Sequence, residues 1–121
     1  MLNTIIHGDC LEVMKDIPDQ FVDMVLCDLP YGTTACRWDS TLDLKLLWVE
    51  YRRIITNTGT IVLTASQPFT SILVTSNIEW FKYEWIWKKN RPTGVMHSKN
   101  KPLKYHENVL VFSPGTTVHK N

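Results

Sequence analysis

The fold of this chain is decided by the stretch Val25-Leu26-Cys27-Asp28-Leu29-Pro30-Tyr31-Gly32. Residues 22–27 are mostly apolar and predict a buried strand, which places Asp28 at its carboxyl end. Open α/β sheets bind their ligands at that edge. Pro30 fixes the following turn, and Gly32 permits close approach of the backbone. Because Asp, Pro and Gly also end ordinary strands, the stretch by itself is consistent with either a site carboxylate or a plain turn.

The sequence up to and including the start of this stretch predicts a strand, a helix and a second strand, in that order. Residues 4–7 predict a short strand, and residues 10–17 predict a helix that Asp9 caps. This order is typical of the βαβ unit of a parallel sheet. Asp9 and Asp28 would then both follow strands, and we expect their carboxylates at the same edge of the sheet.

The sequence after the stretch continues this alternation and then changes character. Apolar residues at steps of three and four predict a helix over residues 42–55, a buried strand follows at 60–65, and residues 69–76 predict a short helix. Residues 81–88 alternate aromatic side chains with others, and residues 108–113 form a β-branched strand pattern. No helix is predicted between these last two strands, so we expect them to be antiparallel. The predicted fold class is α/β, with a mostly parallel sheet and a C-terminal antiparallel strand pair.

Composition narrows the classes of protein to which this chain can belong. The 121 residues suffice for one domain over residues 1–121, and the 44% hydrophobic and 21% charged content is ordinary for a soluble globular protein. No apolar stretch has the length of a membrane span, and the N-terminus lacks the layout of a signal peptide. The cysteines Cys10, Cys27 and Cys36 form no C-x-x-C pair. They argue against a disulfide framework or a metal site and fit a reducing cytoplasm.

Charge is distributed unevenly along the chain. The net charge is +1, but residues 1–81 carry −5 and residues 82–121 carry +6. The segment 88–104 has no acidic residue and contains the basic residues Lys88, Lys89, Arg91, Lys99, Lys101 and Lys104. Such a segment beside a sheet edge suits the phosphates of a nucleic acid, and a solvated basic face is the alternative interpretation.

Three stretches together resemble the DNA amino-methyltransferases, which methylate exocyclic amino groups of adenine or cytosine. The first stretch is Gly8-Asp9-Cys10-Leu11-Glu12. The second is Asp28-Leu29-Pro30-Tyr31-Gly32, a variant of the family's Asp-Pro-Pro-Tyr motif. The third runs from Trp85-Ile86-Trp87-Lys88-Lys89 to His106-Glu107-Asn108-Val109-Leu110-Val111-Phe112. Their order resembles the permuted subgroup with the catalytic motif first, and it implies a partial Rossmann-like methyltransferase sheet within a single partial catalytic domain.

The resemblance also implies roles for the catalytic residues. Asp28 and the main-chain carbonyl of Leu29 or Pro30 would accept the hydrogens of the target amino group. Tyr31 would stack on the base after the base is flipped out of the duplex. An aspartate at the first position of the motif favours adenine over cytosine as the target.

Cofactor and DNA contacts follow from the same resemblance. Asp9 would hydrogen-bond the adenine part of S-adenosyl-L-methionine, with Cys10 beside it. The basic side chains named above, Lys88 to Lys104, would hold the phosphates of double-stranded DNA. The expected location is the cytoplasm of a bacterium or of a phage-infected host.

The sequence departs from the family at two points. Leu29 stands where the family has proline, which keeps a main-chain carbonyl but loosens the turn. The family's Phe-x-Gly-x-Gly loop for the methionine end of the cofactor is absent, and the five glycines are widely scattered. The family topology places the missing strands between residues 5–6 and residues 22–27. We therefore expect a rearranged fold, an interrupted sheet, or a homodimer or protein partner that covers the incomplete sheet.

Two functions are compatible with these features. One is a DNA methyltransferase of the kind found in restriction–modification systems or phages, most consistent with adenine N6 as its target. The alternative is a catalytically inactive module derived from a methyltransferase, phage-encoded or not, that binds DNA through residues 88–104 or a protein through its sheet edge.

Overall fold

The computed structural model describes residues 2–30, 43–93 and 104–115. The elements follow one another as α1 (Cys10–Val13), a short 3-10 helix (Met14–Asp16), β1 (Val22–Asp28), α2 (Leu44–Ile54), β2 (Ile55–Ala65), α3 (Phe69–Ser76), β3 (Phe81–Thr93) and β4 (Lys104–Phe112). Within these ranges, no helix has the length and apolar character needed to cross a membrane.

The four strands form one sheet in the order β1-β2-β4-β3. Strands β1 and β2 are parallel, and β4 is antiparallel to both of its neighbours. Strands β1, β2 and β3 therefore point the same way, and β4 runs against them. This arrangement confirms the predicted α/β class with a mostly parallel sheet and a C-terminal antiparallel pair.

The core lies between α2, α3 and one face of the sheet. Neighbouring strands place Ile61 and Leu63 of β2 beside Phe112 and Leu110 of β4, and all four side chains have no exposed surface. The indole ring of Trp48 on α2 meets the ring of Phe112 with centroids 4.8 Å apart. Burial of each such side chain contributes about 1.5–3 kcal/mol to folding.

Helix α2 forms where the sequence predicts it, and polar contacts fix both of its ends. The Asp43 carboxylate caps it by accepting two backbone N–H groups of the first turn at 3.0 and 3.3 Å. At the other end, Arg53 donates to the main-chain oxygens of Met14 at 2.7 Å and Ile17 at 2.6 Å. These bonds tie the helix to the segment that leads into β1.

Residues 4–7 do not form the strand that the sequence predicts. Ile5 is 99% exposed and Ile6 is 51% exposed. A strand needs a neighbour for its backbone N–H and C=O groups, and β1 pairs with β2 alone among the described residues. Isoleucines favour a strand locally but cannot supply that neighbour. Asp9 consequently follows no strand; it caps α1, with Oδ1 accepting from the N–H of Leu11 at 2.9 Å.

Candidate functional site

The candidate site lies at the carboxyl ends of β1 and β2, in the row of the sheet that continues through Val109 of β4 and Trp85 of β3. Asp28 is the last residue of β1, and its partner in register on β2 is Thr64. The Thr64 hydroxyl donates a hydrogen bond of 2.7 Å to Oδ1 of Asp28. Asp28 is exposed, so this bond orients one carboxylate oxygen and leaves the other open to a ligand.

The residue after Asp28 points into the protein. Leu29 is 3% exposed and belongs to the hydrophobic core, and Pro30 is half-buried. The sequence led us to expect that leucine in place of proline loosens this turn. The structure adds an apolar anchor, because burial of the Leu29 side chain fixes the backbone that carries Asp28. Tyr31, the remaining predicted catalytic residue, lies outside the described ranges.

A cluster of polar side chains beneath Asp28 was missed from the sequence. Burial raises the pKa of the Cys27 thiol, and a hydrogen bond with Tyr51 opposes this shift. Burial and then the charge of Cys27 raise the pKa of Tyr51 above its usual range, so that its hydroxyl stays protonated. Tyr51 belongs to the apolar stripe of α2, and nothing in that stripe reveals a partner for its hydroxyl.

The same cluster includes the predicted cofactor residue Cys10. Burial and the nearby Asp9 carboxylate raise the pKa of the Cys10 thiol. Cys10 is within electrostatic range of both Cys27 and Tyr51. The start of α1 thus lies near Cys27, the residue of β1 that precedes Asp28, although residues 4–7 form no strand.

Two predicted DNA-binding lysines differ in their surroundings. Lys88 is exposed and lies beside the exposed His106 of β4. The Lys89 Nζ atom is 2.5 Å from Oε1 of Glu107, and the two side chains are 27% and 21% exposed. Lys89 also lies over the indole ring of Trp87, 5.6 Å from its centroid. Glu107, which the sequence did not single out, therefore neutralises much of the Lys89 charge.

The other four predicted DNA-binding side chains are not among those that the structure describes. Lys99 and Lys101 fall outside the described ranges, as do the side chains of Arg91 in β3 and Lys104 in β4. No group of three metal-ligating side chains occurs in the described part of the chain.

A second polar group lies on the α3 side of the sheet. Asn108 is 6% exposed, accepts from the Thr70 hydroxyl at 2.9 Å and donates to Glu84 at 3.1 Å. Thr70 and Glu84 help to line an open cavity of about 310 Å³. No local sequence pattern marks this group, because its three members come from three elements that are distant in the chain.

Comparison with solved structures defines the class of fold. TTHA0409 from Thermus thermophilus, solved in complex with S-adenosyl-L-methionine, superposes with a TM-score of 0.67 at 18% identity, over 94% of this chain and 56% of that chain. The cytosine-N4-specific PvuII DNA methyltransferase superposes with a TM-score of 0.61 at 13% identity, over 88% of this chain and 47% of that chain. The chain therefore has a Rossmann-like methyltransferase fold.

Sequence comparison relates the chain to a methyltransferase. No protein-family model matches the chain. The type II methyltransferase M.HinfI of Haemophilus influenzae is 30% identical over 117 aligned residues, which take in 75% of this chain and 33% of that protein. The chain thus spans a third of the length of this curated relative. The chain is thus similar in sequence to a type II methyltransferase and in fold to DNA methyltransferases, and TTHA0409 was solved with the cofactor S-adenosyl-L-methionine.

The residues at the start of α1 fit one part of that cofactor. One oxygen of the exposed Asp9 carboxylate accepts the N–H of Leu11, and the second can accept from an adenine amino group. The sequence contains no glycine-rich loop of the kind that holds the methionine part.

Proposed function

We propose that this chain carries the target-base half of an S-adenosylmethionine-dependent DNA methyltransferase of the permuted subgroup, acting on adenine N6 in the cytoplasm. The observation that carries the proposal is the Asp28 carboxylate, oriented by Thr64 at the carboxyl edge of the sheet. Burial of Leu29 directly after it gives that carboxylate a rigid base. The similarity to M.HinfI supports a methyltransferase, and the aspartate supports adenine.

The chemistry needs hydrogen-bond acceptors at this point. An exocyclic amino nitrogen is a weak nucleophile, because its lone pair is delocalised into the ring. Asp28 and a main-chain carbonyl of Leu29 or Pro30 accept its two hydrogens and draw it towards tetrahedral geometry, which frees the lone pair. When bound, S-adenosyl-L-methionine supplies the electrophilic methyl group. The nitrogen would displace the methyl group from the sulfur of the donor and lose one proton, and the Asp28 carboxylate is positioned to take that proton.

The target base must leave the duplex to reach these acceptors, since its amino group is paired inside the stack. In this proposal Tyr31 stacks on the flipped base. The basic segment holds the DNA phosphates on either side of the flipped base. Lys89 contributes less to this attraction, because Glu107 partly neutralises its charge. Most of the attraction comes from the other basic residues, Lys88, Arg91, Lys99, Lys101 and Lys104.

Lys88 and Lys89 provide a matched test of DNA binding. Lys88→Ala is expected to reduce the slope of log affinity against log salt by about 1, because one phosphate contact is lost. Lys89→Ala is expected to reduce it by less, because Glu107 already neutralises that charge. Fluorescence anisotropy with a labelled duplex between about 50 and 200 mM salt measures both slopes. A larger effect at Lys89 than at Lys88 would contradict this assignment.

The function is tested with methyl-labelled S-adenosyl-L-methionine and duplex DNA of mixed sequence. The full chain is the protein assayed. Label is expected in N6-methyladenine after digestion to nucleosides. Label in N4-methylcytosine would overturn the choice of base. DNA binding without label in either base would overturn the methyltransferase function in favour of a binding module.

A further inference from the structure

The open cavity on the α3 side of the sheet is a groove between α3 and β3, separate from the candidate site. Glu84 of β3 lies in one row with Leu110, Leu63 and Cys27, and Asp28 lies in the next row. Leu110 and Leu63 are core side chains without exposed surface. Adjacent residues of a strand point to opposite faces, so Glu84 is on the core side of the sheet and Asp28 is on the other. The residues that matter for this groove are Thr70, Ser71, Val74 and Thr75 of α3 and Phe81 and Glu84 of β3.

Two hydrogen bonds in series hold the carboxylate of Glu84 in this groove. The Thr70 hydroxyl donates to Oδ1 of Asn108 at 2.9 Å, and Nδ2 of Asn108 donates to Oε2 of Glu84 at 3.1 Å. Thr70 and Asn108 are both buried. The opposite orientation of the Asn108 amide would set its oxygen against the carboxylate, so the amide can lie only this way round. The two buried side chains therefore fix one oxygen of an otherwise exposed carboxylate.

The charge of Glu84 is not balanced by a neighbouring base. The acidic residues of the otherwise basic stretch 82–121 are Glu84 and Glu107, and Glu107 is paired with Lys89. Glu84 forms no ion pair with any side chain that the structure describes. The groove therefore presents a negative charge that a ligand can neutralise.

The hydroxyl groups along the groove offer acceptors to a ligand. The Ser71 hydroxyl donates to Oε1 of Gln67 at 2.9 Å, and the Thr75 hydroxyl donates to the main-chain oxygen of Ser71 at 2.9 Å. A hydroxyl has one hydrogen to donate and two lone pairs that accept, so each of these oxygens can still accept a hydrogen bond. A ligand that satisfies them together with Glu84 must carry positive charge and several N–H groups.

Apolar side chains complete the wall of the groove. Val74 and Phe81 are half-buried and pack against the core, and the ring of Phe81 meets the ring of Phe112 edge-on with centroids 5.6 Å apart. The volume of about 310 Å³ is at the lower end of the range of small-molecule sites, about 300–1,000 Å³. Such sites combine an apolar wall with a few polar groups that orient the ligand. The groove thus suits a small ligand with a cationic end and an aliphatic remainder.

We propose that the groove between α3 and β3 binds a primary alkylammonium ion. The ammonium group donates to the Glu84 carboxylate and to the hydroxyl oxygens of Ser71 and Thr75, and the methylene groups contact Val74 and Phe81. This site goes beyond the proposed methyltransferase function, which uses the other side of the sheet.

A guanidinium ion fits the groove less well than a primary ammonium ion. Guanidinium binds a carboxylate best through both of its oxygens, and Asn108 already donates to one oxygen of Glu84. A primary ammonium group has three N–H donors that can reach separate acceptors. The acceptors of the groove come from separate side chains, which favours the ammonium group.

The test titrates the full, isotope-labelled chain with n-butylammonium chloride at constant ionic strength and follows the backbone amides by two-dimensional NMR. Saturable shifts are expected at Ser71, Thr75 and Glu84. n-Butanol has the same chain without the charge and is expected to cause no saturable shift. Tetramethylammonium has the charge without N–H donors and is expected to bind more weakly than n-butylammonium.

A pair of matched variants assigns the binding to the groove. Glu84→Gln is expected to weaken n-butylammonium binding at least about tenfold, because a hydrogen bond to a charged group is lost while an oxygen remains for Asn108. Glu79→Gln removes the same charge from a side chain that is 78% exposed and lies outside the groove, and it is expected to bind normally. Circular dichroism checks that both variants are folded.

Three results would overturn the proposal. They are the absence of saturable shifts in the wild-type chain, an equal response to n-butanol, and equal weakening by the Glu84 and Glu79 variants. None of them bears on methyl transfer, because Asp28 lies on the opposite side of the sheet from Glu84.

Discussion

Asp28→Asn is expected to lower the rate of methyl transfer to DNA by at least about 100-fold, the contribution that a positioned proton acceptor makes. An amide has one acceptor oxygen where the carboxylate has two, and the Thr64 hydroxyl already occupies one acceptor site at 2.7 Å. The side chain would then present an N–H group to the target nitrogen in place of an acceptor. Initial rates with methyl-labelled cofactor and duplex DNA, measured for the variant and the wild-type chain, check this expectation.

Asp23→Asn is the matched control for this substitution. Asp23 is also an exposed aspartate of β1, but it lies five residues earlier, away from the carboxyl edge. Its replacement is expected to leave the rate within a factor of two, and DNA affinity should be unchanged in both variants. Thr64→Val, which removes the orienting hydroxyl alone, is expected to cost less than Asp28→Asn. Similar rates for the Asp28 and Asp23 variants would contradict the role of Asp28.

Leu29→Ala is expected to lower the free energy of unfolding by about 2–5 kcal/mol, the cost of a cavity at a buried leucine. Leu29 is 3% exposed and packs within the same core as α2 and β2. Its loss removes apolar burial and leaves a space that the backbone of the Asp28 turn cannot fill without moving. Urea denaturation followed by tryptophan fluorescence measures the change.

Leu26→Ala is the matched control for stability. Leu26 lies in β1, three residues before Leu29, but its side chain is 70% exposed. Its truncation in the isolated chain is expected to change the free energy of unfolding by no more than about 0.5 kcal/mol. Equal destabilisation by the two substitutions would show that the Leu26 side chain is covered in the isolated chain, contrary to the structure.

Much of the fold could be predicted from local patterns. Helix α2 follows from apolar residues at steps of three and four, and the structure gives it as Leu44–Ile54. The short helix Phe69–Ser76 and the antiparallel pair β3 and β4 were also predicted from periodicity and loop composition. The position of Asp28 at the end of a strand followed in the same way. These features depend on neighbours within a few residues of one another, which the sequence displays directly.

The tertiary structure alone decided the features that depend on partners distant in the chain. Residues 4–7 have the composition of a strand but no strand beside them, and Lys89 has the charge of a DNA ligand but pairs with Glu107. From the sequence, Leu29 predicts a looser turn than proline would give. In the structure its side chain packs in the core and holds the turn in place. Strand pairing, ion pairing and burial each join segments that the sequence keeps apart. The sequence by itself therefore determined the residue types of the Asp28 turn, whereas the rigidity of that turn depends on the burial of Leu29 in the packed core.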